Sequence, residues 1–166
     1  MKNKNTTHYT TRGAIIAALY VVLTLLASLM GLSSGVIQFR FSEALCILPI
    51  FFPEAIPGLC VGWLMSNLIA GGVIWDIIFV SIATLIGAIG ARMLRNMPEK
   101  FKWISTLPTI FANAIIVPFV LIYAYGAPDS YLFLFSTVAI GEIVCAGIGG
   151  TALYYLLNNS KIQWLK

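Results

Sequence analysis

A helix of about 20 predominantly apolar residues is what a chain needs to cross the roughly 30 Å hydrocarbon core of a bilayer. Residues 13–32, 74–94, 107–125 and 131–157 each supply such a run. Composition agrees. Of the 166 residues, 60% are hydrophobic and 10% charged, with a mean hydropathy of +0.93, whereas soluble domains carry about 25% charged residues. The wealth of apolar and aromatic residues excludes disorder, and the length suits one domain. The chain reads as an all-α integral membrane protein.

Residues 42–72 form another apolar stretch, too long for one upright helix and barely long enough for two. The basic residues decide between these. Lys2, Lys4 and Arg12 precede the first span, Arg92, Arg95, Lys100 and Lys102 follow residues 74–94, and Lys161 and Lys166 close the chain. Lys and Arg gather on the cytoplasmic side of membrane proteins, so an even number of crossings must separate these clusters. The stretch therefore counts twice, broken around Pro49, Pro53 and Pro57, since proline removes a backbone donor and clashes with the preceding turn.

The expected architecture is a single domain of six transmembrane helices, 13–32, 42–52, 55–72, 74–94, 107–125 and 131–157. Tails 1–12 and 158–166 are both cytoplasmic, so nine of the ten basic residues face the cytoplasm and Arg40 lies outside. This topology accounts for the net charge of +4 without nucleic acid as a partner. The second helix would be only about 16 Å long at 1.5 Å per residue, and short interrupted segments often border a binding cavity. Residues 35–41 alternate in a strand-like pattern expected of an outer loop. The polar stretch before Thr11 is expected to be a mobile tail. No cleavable signal peptide is expected, since no clear small-x-small site follows the first apolar run. Cys46, Cys60 and Cys145 are odd in number and lack Cys-x-x-Cys spacing; they read as small hydrophobes, not metal ligands or a disulfide framework.

Polar residues inside spans cost about 2.5–3.5 kcal/mol each for an acid at a helix centre, and so call for a reason. Glu142 lies about 16 Å from the outer end of its helix, and Asn113 about 18 Å from the outer end of its own, by helical rise. Asn67 occupies an intermediate level, and Glu43, Asp76, Gln38 and Arg40 the outer rim. This is the profile of a pocket open to the outside with Asn113 and Glu142 as its floor. Phe39, Trp63, Trp75 and Tyr123 can wall it with flat faces suited to a planar ligand. Each residue also has a structural alternative. Glu142, Asn113 and Asn67 can tie helices together. Glu43, beside a Ser42 cap, and Asp76 can serve helix N-termini, while Arg40 can clasp Glu43. Trp63 and Trp75 can anchor the interface, and Glu54 and Asp129 are expected to be solvated. His8 has no assigned role.

No His-Glu-x-x-His, Gly-x-Ser-x-Gly or Gly-x-x-x-x-Gly-Lys motif is present, so no catalytic residues, metal site or ATPase activity is expected. A filter-like channel motif is also lacking. A binding subunit of a transporter is one reading. An integral-membrane enzyme using Glu142 and Asp76 as acid and base, or a structural or ion-conducting subunit, are the rivals. In the first helix Ala14, Ala17 and Ala18 form a strip of small residues where another helix can approach closely.

These features combine in a recognisable pattern. Ile37-Gln38-Phe39-Arg40-Phe41-Ser42-Glu43-Ala44-Leu45, Ala55-Ile56-Pro57-Gly58-Leu59, Trp75-Asp76, Ala83-Thr84-Leu85, Asn113-Ala114 and Gly141-Glu142 together resemble the QueT family. Its members are the substrate-binding S components of energy-coupling factor (ECF) transporters, an ABC importer type, for queuosine precursors. The resemblance spans about residues 12–157. It implies a six-helix S component of the bacterial plasma membrane that binds a base such as 7-aminomethyl-7-deazaguanine (preQ1) in its outer half. Such a subunit joins an EcfT-like membrane coupling subunit and two cytoplasmic ATPase subunits. ATP is used by those partners, and no cofactor is expected in this chain. Ala14 and Ala18 match the small-residue motif that faces the coupling subunit. The substrate-binding set implied is Glu142, Asn113, Glu43, Asp76, Asn67, Gln38, Arg40, Trp75 and Phe39. One departure stands out: the last helix carries Gly147-Ile148-Gly149-Gly150-Thr151, where a proline is expected after the glycine, and this bears on local helix shape.

Overall fold

The computed structural model describes residues 2–32 and 37–159, which are helical throughout apart from short turns and contain no strand. The elements are α1 (Lys2–Leu29), a 3₁₀ helix (Phe41–Ile50), α2 (Ala55–Ile69), α3 (Ile74–Met93), α4 (Leu107–Tyr123), α5 (Tyr131–Glu142) and α6 (Gly150–Asn159). A π-helical segment, Ile143–Gly149, joins α5 to α6, and two short 3₁₀ turns, Leu94–Asn96 and Glu99–Thr106, link α3 to α4. Four stretches, Thr6–Leu29, Ile74–Asn96, Glu99–Tyr123 and Tyr131–Asn159, are long and apolar enough to cross a membrane; Phe41–Ile50 and Ala55–Ile69 are shorter apolar helices.

Two sequence expectations change at the N-terminal end and the first loop. The polar stretch expected as a separate mobile tail continues α1 back to Lys2. No glycine or proline precedes Gly13, and the Thr10 and Thr11 hydroxyls donate to the carbonyls of Thr6 and Thr7 at 3.0 and 2.8 Å, which frees them from competing for other backbone groups. In the loop, Arg40 is extended (φ −113°, ψ 96°), but no strand pairing forms among the described residues. Gly35 and Val36, like Lys161 and Lys166, lie outside the described residues.

α1 and α2 end alike. Gly31 and Gly71 take φ of 71° and 72°, a left-handed conformation open to glycine. The following amides, of Leu32 and Gly72, then donate five residues back to Ala27 and Asn67 at 3.0 and 2.8 Å, closing a Schellman motif. The helices approach closely where side chains are smallest. A methyl on Gly58 would sit 2.7 Å from the Gly13 carbonyl oxygen, one on Gly62 2.7 Å from Tyr20 Cβ, and one on Gly87 2.5 Å from Thr109 Oγ1. Packing of this kind drives helix association where lipid competes for apolar surface.

One end of the bundle gathers the basic residues. Arg12 pairs with Glu54 at 3.2 Å, and Arg92 donates to the Pro49 and Ile50 carbonyls at 3.0 and 3.1 Å. Lys102 donates to the Arg95 carbonyl, and Tyr155 and Asn158 bond to Glu99. Glu54, expected to be solvated, is 4% exposed, because α1 extends far enough to lay Arg12 over it. Asp129 is exposed as expected.

Arg92 fixes the depth of the 3₁₀ helix. Its last carbonyls are held at the basic end, and ten residues at about 2 Å each reach only some 20 Å, so its first turn lies inside the bundle. Ala44 and Ile47 pack on Gly149 of the π segment and Gly150 of α6. The π segment overlaps the glycine-rich run 147–151, where Gly149 faces the Ala44 side chain and Gly150 the Ala44 carbonyl.

Gly58→Ala is expected to lower the stability of the purified protein by about 1–3 kcal/mol through overpacking. Gly147→Ala, whose methyl would meet nothing closer than 3.4 Å, is expected to leave it unchanged; thermal unfolding in detergent compares the two.

Candidate ligand-binding site

Three of the predicted residues meet directly. Asn113, on α4, directs its two amide N–H donors to two carboxylates: Glu142 Oε1 at the end of α5, 3.0 Å away, and Glu43 Oε2 on the 3₁₀ helix, 3.4 Å away. Glu43 also accepts from the Tyr20 hydroxyl of α1 at 2.5 Å and from Cys46 Sγ at 3.2 Å. Glu43 and Asn113 are each 1% exposed and Glu142 6%. Four elements thus contribute side chains to one hydrogen-bonded cluster in the apolar interior, where each unmade bond is costly.

This geometry corrects the layering expected from sequence. Glu43 is not at the rim but level with Asn113 and Glu142, because the 3₁₀ helix starts inside the bundle. Ser42 caps no helix; its hydroxyl lies 2.9 Å from Thr24 Oγ1. Arg40 forms no ion pair with Glu43 among the described residues. It donates to Gln38 Oε1 at 3.2 Å, and its guanidinium lies over the Trp63 ring, 4.8 Å from the centroid. Trp63 is 1% exposed and meets Tyr20 edge-on at 6.4 Å, so it lines the interior and does not anchor an interface. The loop is pressed against the site: a methyl on Gly141 would overlap the Gln38 carbonyl oxygen.

Other predicted residues stand apart. Asp76 accepts from the Tyr125 hydroxyl at 3.0 Å, away from the basic end; burial and then the Asp76 charge raise the Tyr125 phenol above its ordinary pKa. Trp75 is 56% exposed and stacks on Phe79; with Phe119 and Tyr123 it lines a separate apolar groove of about 510 Å³. Asn67 Nδ2 donates to the Trp63 carbonyl at 3.0 Å within α2. Phe39 is half-buried, its amide bonded to the Leu32 carbonyl at 3.0 Å. Ala14 and Ala18 are exposed, and Ala17 is half-buried against the position where Gly62 packs.

Tyr20 and Cys46 are cluster members that sequence reasoning missed. A phenol in the middle of an apolar span was the available signal for Tyr20. For Cys46 it was the three-residue spacing from Glu43, which places the two on one side of a 3₁₀ turn.

Polar atoms remain over. Trp63 Nε1, Asn113 Oδ1 and Glu142 Oε2 are buried without a hydrogen-bond partner among the described residues. A donor and two acceptors are thus left free in and beside the cluster; the Ser105 and Thr109 hydroxyls, outside it, are also unpaired among the described residues.

The profile of the QueT transporter family matches residues 10–159. The chain belongs to the QueT transporter family. A relative from Lactococcus lactis subsp. cremoris (strain MG1363), the "Queuosine precursor transporter QueT", is 31% identical over 144 residues, covering 82% of this chain and 84% of the relative. No solved structure gives a significant match. The match takes in every cluster residue. Membership, together with the long apolar helices, makes the chain a multi-pass protein of a bacterial membrane and a transporter, not an enzyme.

Tyr20→Phe is expected to destabilise the protein by about 1–3 kcal/mol by leaving a buried carboxylate oxygen unpaired, although only one oxygen is removed. Thermal unfolding of the variant, with Tyr9→Phe on the exposed part of α1 as the neutral control, checks it.

Proposed function

We propose that this QueT family member is the substrate-binding S component of an ECF-type importer, capturing a queuosine precursor such as preQ1 from outside the cell. The observation that carries the reading is Asn113 bridging the Glu43 and Glu142 carboxylates inside the bundle. PreQ1 is planar, offers N–H donors along its guanine edge and carries a cationic aminomethyl group. A carboxylate accepts two parallel N–H bonds from such an edge, and a second carboxylate neutralises the ammonium. Glu142 and Asn113 take the guanine edge. Glu43 takes the ammonium in preference to Asp76, which Tyr125 engages elsewhere. The loop carrying Gln38 and Arg40 covers the site. The name of the Lactococcus relative supports the ligand class.

The same reading makes all six apolar helices membrane segments, the 3₁₀ helix being a partial one, with both termini cytoplasmic. The gathering of Arg12, Arg92, Arg95, Lys100 and Lys102 near one end of the bundle supports this orientation. The exposed Ala14 and Ala18 face an EcfT-like coupling subunit, and two ATPase subunits hydrolyse the ATP that drives uptake. This chain itself needs no cofactor.

Calorimetry with the purified chain is expected to detect preQ1 binding without ATP; preference for another nucleobase would replace the ligand but keep the class. Glu142→Gln is expected to weaken that binding by about 1.5–3 kcal/mol, the worth of a charge-assisted hydrogen bond. Unchanged affinity would remove Glu142 from the site. Ala14→Leu with Ala18→Leu is expected to spare preQ1 binding and abolish co-purification with the coupling subunit. For orientation, a cysteine at Asp129 is expected to react with impermeant maleimide added outside intact cells; protection there would reverse the topology.

A further inference from the structure

We propose that Arg40 occupies the base subsite of the empty protein, its guanidinium lying on Trp63 as a stand-in for the planar ligand, so that the precursor must displace it to bind. The inference rests on the reading of the cluster as a site for a planar cationic base, and adds where that base stacks and what guards it.

Two observations bear on the face of Trp63. The Arg40 guanidinium lies over the indole, 4.8 Å from its centroid, within the range of cation–π attraction. It makes no ion pair with either cluster acid among the described residues. Trp63 borders the cluster through Tyr20, and three buried atoms of Trp63 and the cluster have no partner among the described residues: the Trp63 Nε1 donor and the Asn113 Oδ1 and Glu142 Oε2 acceptors. A guanidinium and a guanine edge share their recognition chemistry, since each is planar and presents parallel N–H donors from a carbon flanked by nitrogens. Arg40 is also cationic, as the aminomethyl group is. A side chain with the ligand's shape, donors and charge therefore rests at the site that the ligand requires.

The loop is built to hold it there and to let it go. Gln38 Oε1 accepts from Arg40 at 3.2 Å, and the Gln38 carbonyl sits against Gly141, next to Glu142, where no larger residue fits. Arg40 itself is only half-buried. It keeps the indole covered, and leaves when a ligand makes the hydrogen bonds that it leaves open. An occupied subsite lowers apparent affinity by the fraction of time in which it is free. Solutes that stack but lack paired donors gain too little to replace Arg40, which makes the residue a filter for specificity.

The test is the affinity and association rate of preQ1 for the detergent-purified full chain and its Arg40→Ala and Arg40→Lys variants, by calorimetry and stopped-flow Trp fluorescence. Wild-type binding establishes the underlying reading, and its absence with preQ1 and related bases removes that reading independently of Arg40. Given wild-type binding, Arg40→Ala is expected to bind preQ1 about three- to tenfold more tightly and associate faster, the size expected when a cation–π stand-in is removed. Arg40→Lys keeps the charge but loses the planar fork and is expected to move the same way by less. It serves should Arg40→Ala fail to fold. Millimolar methylguanidinium is expected to compete with preQ1 in Arg40→Ala. Affinity that is unchanged or weaker in the variants would overturn the proposal, weaker binding marking Arg40 as a ligand contact instead.

Discussion

Two carboxylates buried together in an apolar bundle are the constraint around which the rest of this structure is arranged. Separate, each would be costly at membrane depth, and side by side their charges oppose each other. The fold answers with donors. Asn113 reaches both acids at once, and Tyr20 and Cys46 complete the environment of Glu43. Because those groups come from α1, the 3₁₀ helix, α4 and the end of α5, satisfying the acids also fixes how the helices stand relative to one another.

The 3₁₀ helix is the device that makes this possible. A full-length α-helix in its place would carry Glu43 to the surface. A ten-residue segment whose C-terminal carbonyls are tied down by Arg92 delivers it to the interior instead. The incoming loop must then dip into the bundle, which brings Gln38 against Gly141 and Arg40 onto Trp63. Glycines in the last helix leave room for the segment's other side, where Ala44 packs beside the π turn. Local irregularity and site geometry are one feature here: the chain is least regular where it brings polar groups together.

The tight glycine contacts between α1 and α2 and between α3 and α4 supply a rigid frame by a different route, close approach of the helices where a glycine has no side chain. Between these frames, the cluster retains unsatisfied atoms of both kinds, Trp63 Nε1 as donor and Asn113 Oδ1 and Glu142 Oε2 as acceptors. On the proposed reading they are the points at which a nitrogen-rich base is recognised.

Sequence by itself determined the solvent and the class. Long apolar runs admit only membrane helices, since backbone polar groups have no water to bond in lipid, and the helix limits near Ile74, Leu107 and Tyr131 were legible from apolar runs and flanking turns. Glu142 and Asn113 were legible as candidates because polar groups in such runs are rare, and the motif blocks pointed to the family. The sequence did not disclose that Glu43 stands level with them, that Trp63 faces inward while Trp75 faces outward, or that Tyr20 belongs to the cluster. Those facts depend on the rotation of each helix about its axis and on the depth at which a short segment ends. Hydropathy leaves both open, because every face of these helices is apolar; only packing against neighbours, through Arg92 at one end and the glycine contacts along the length, decides them.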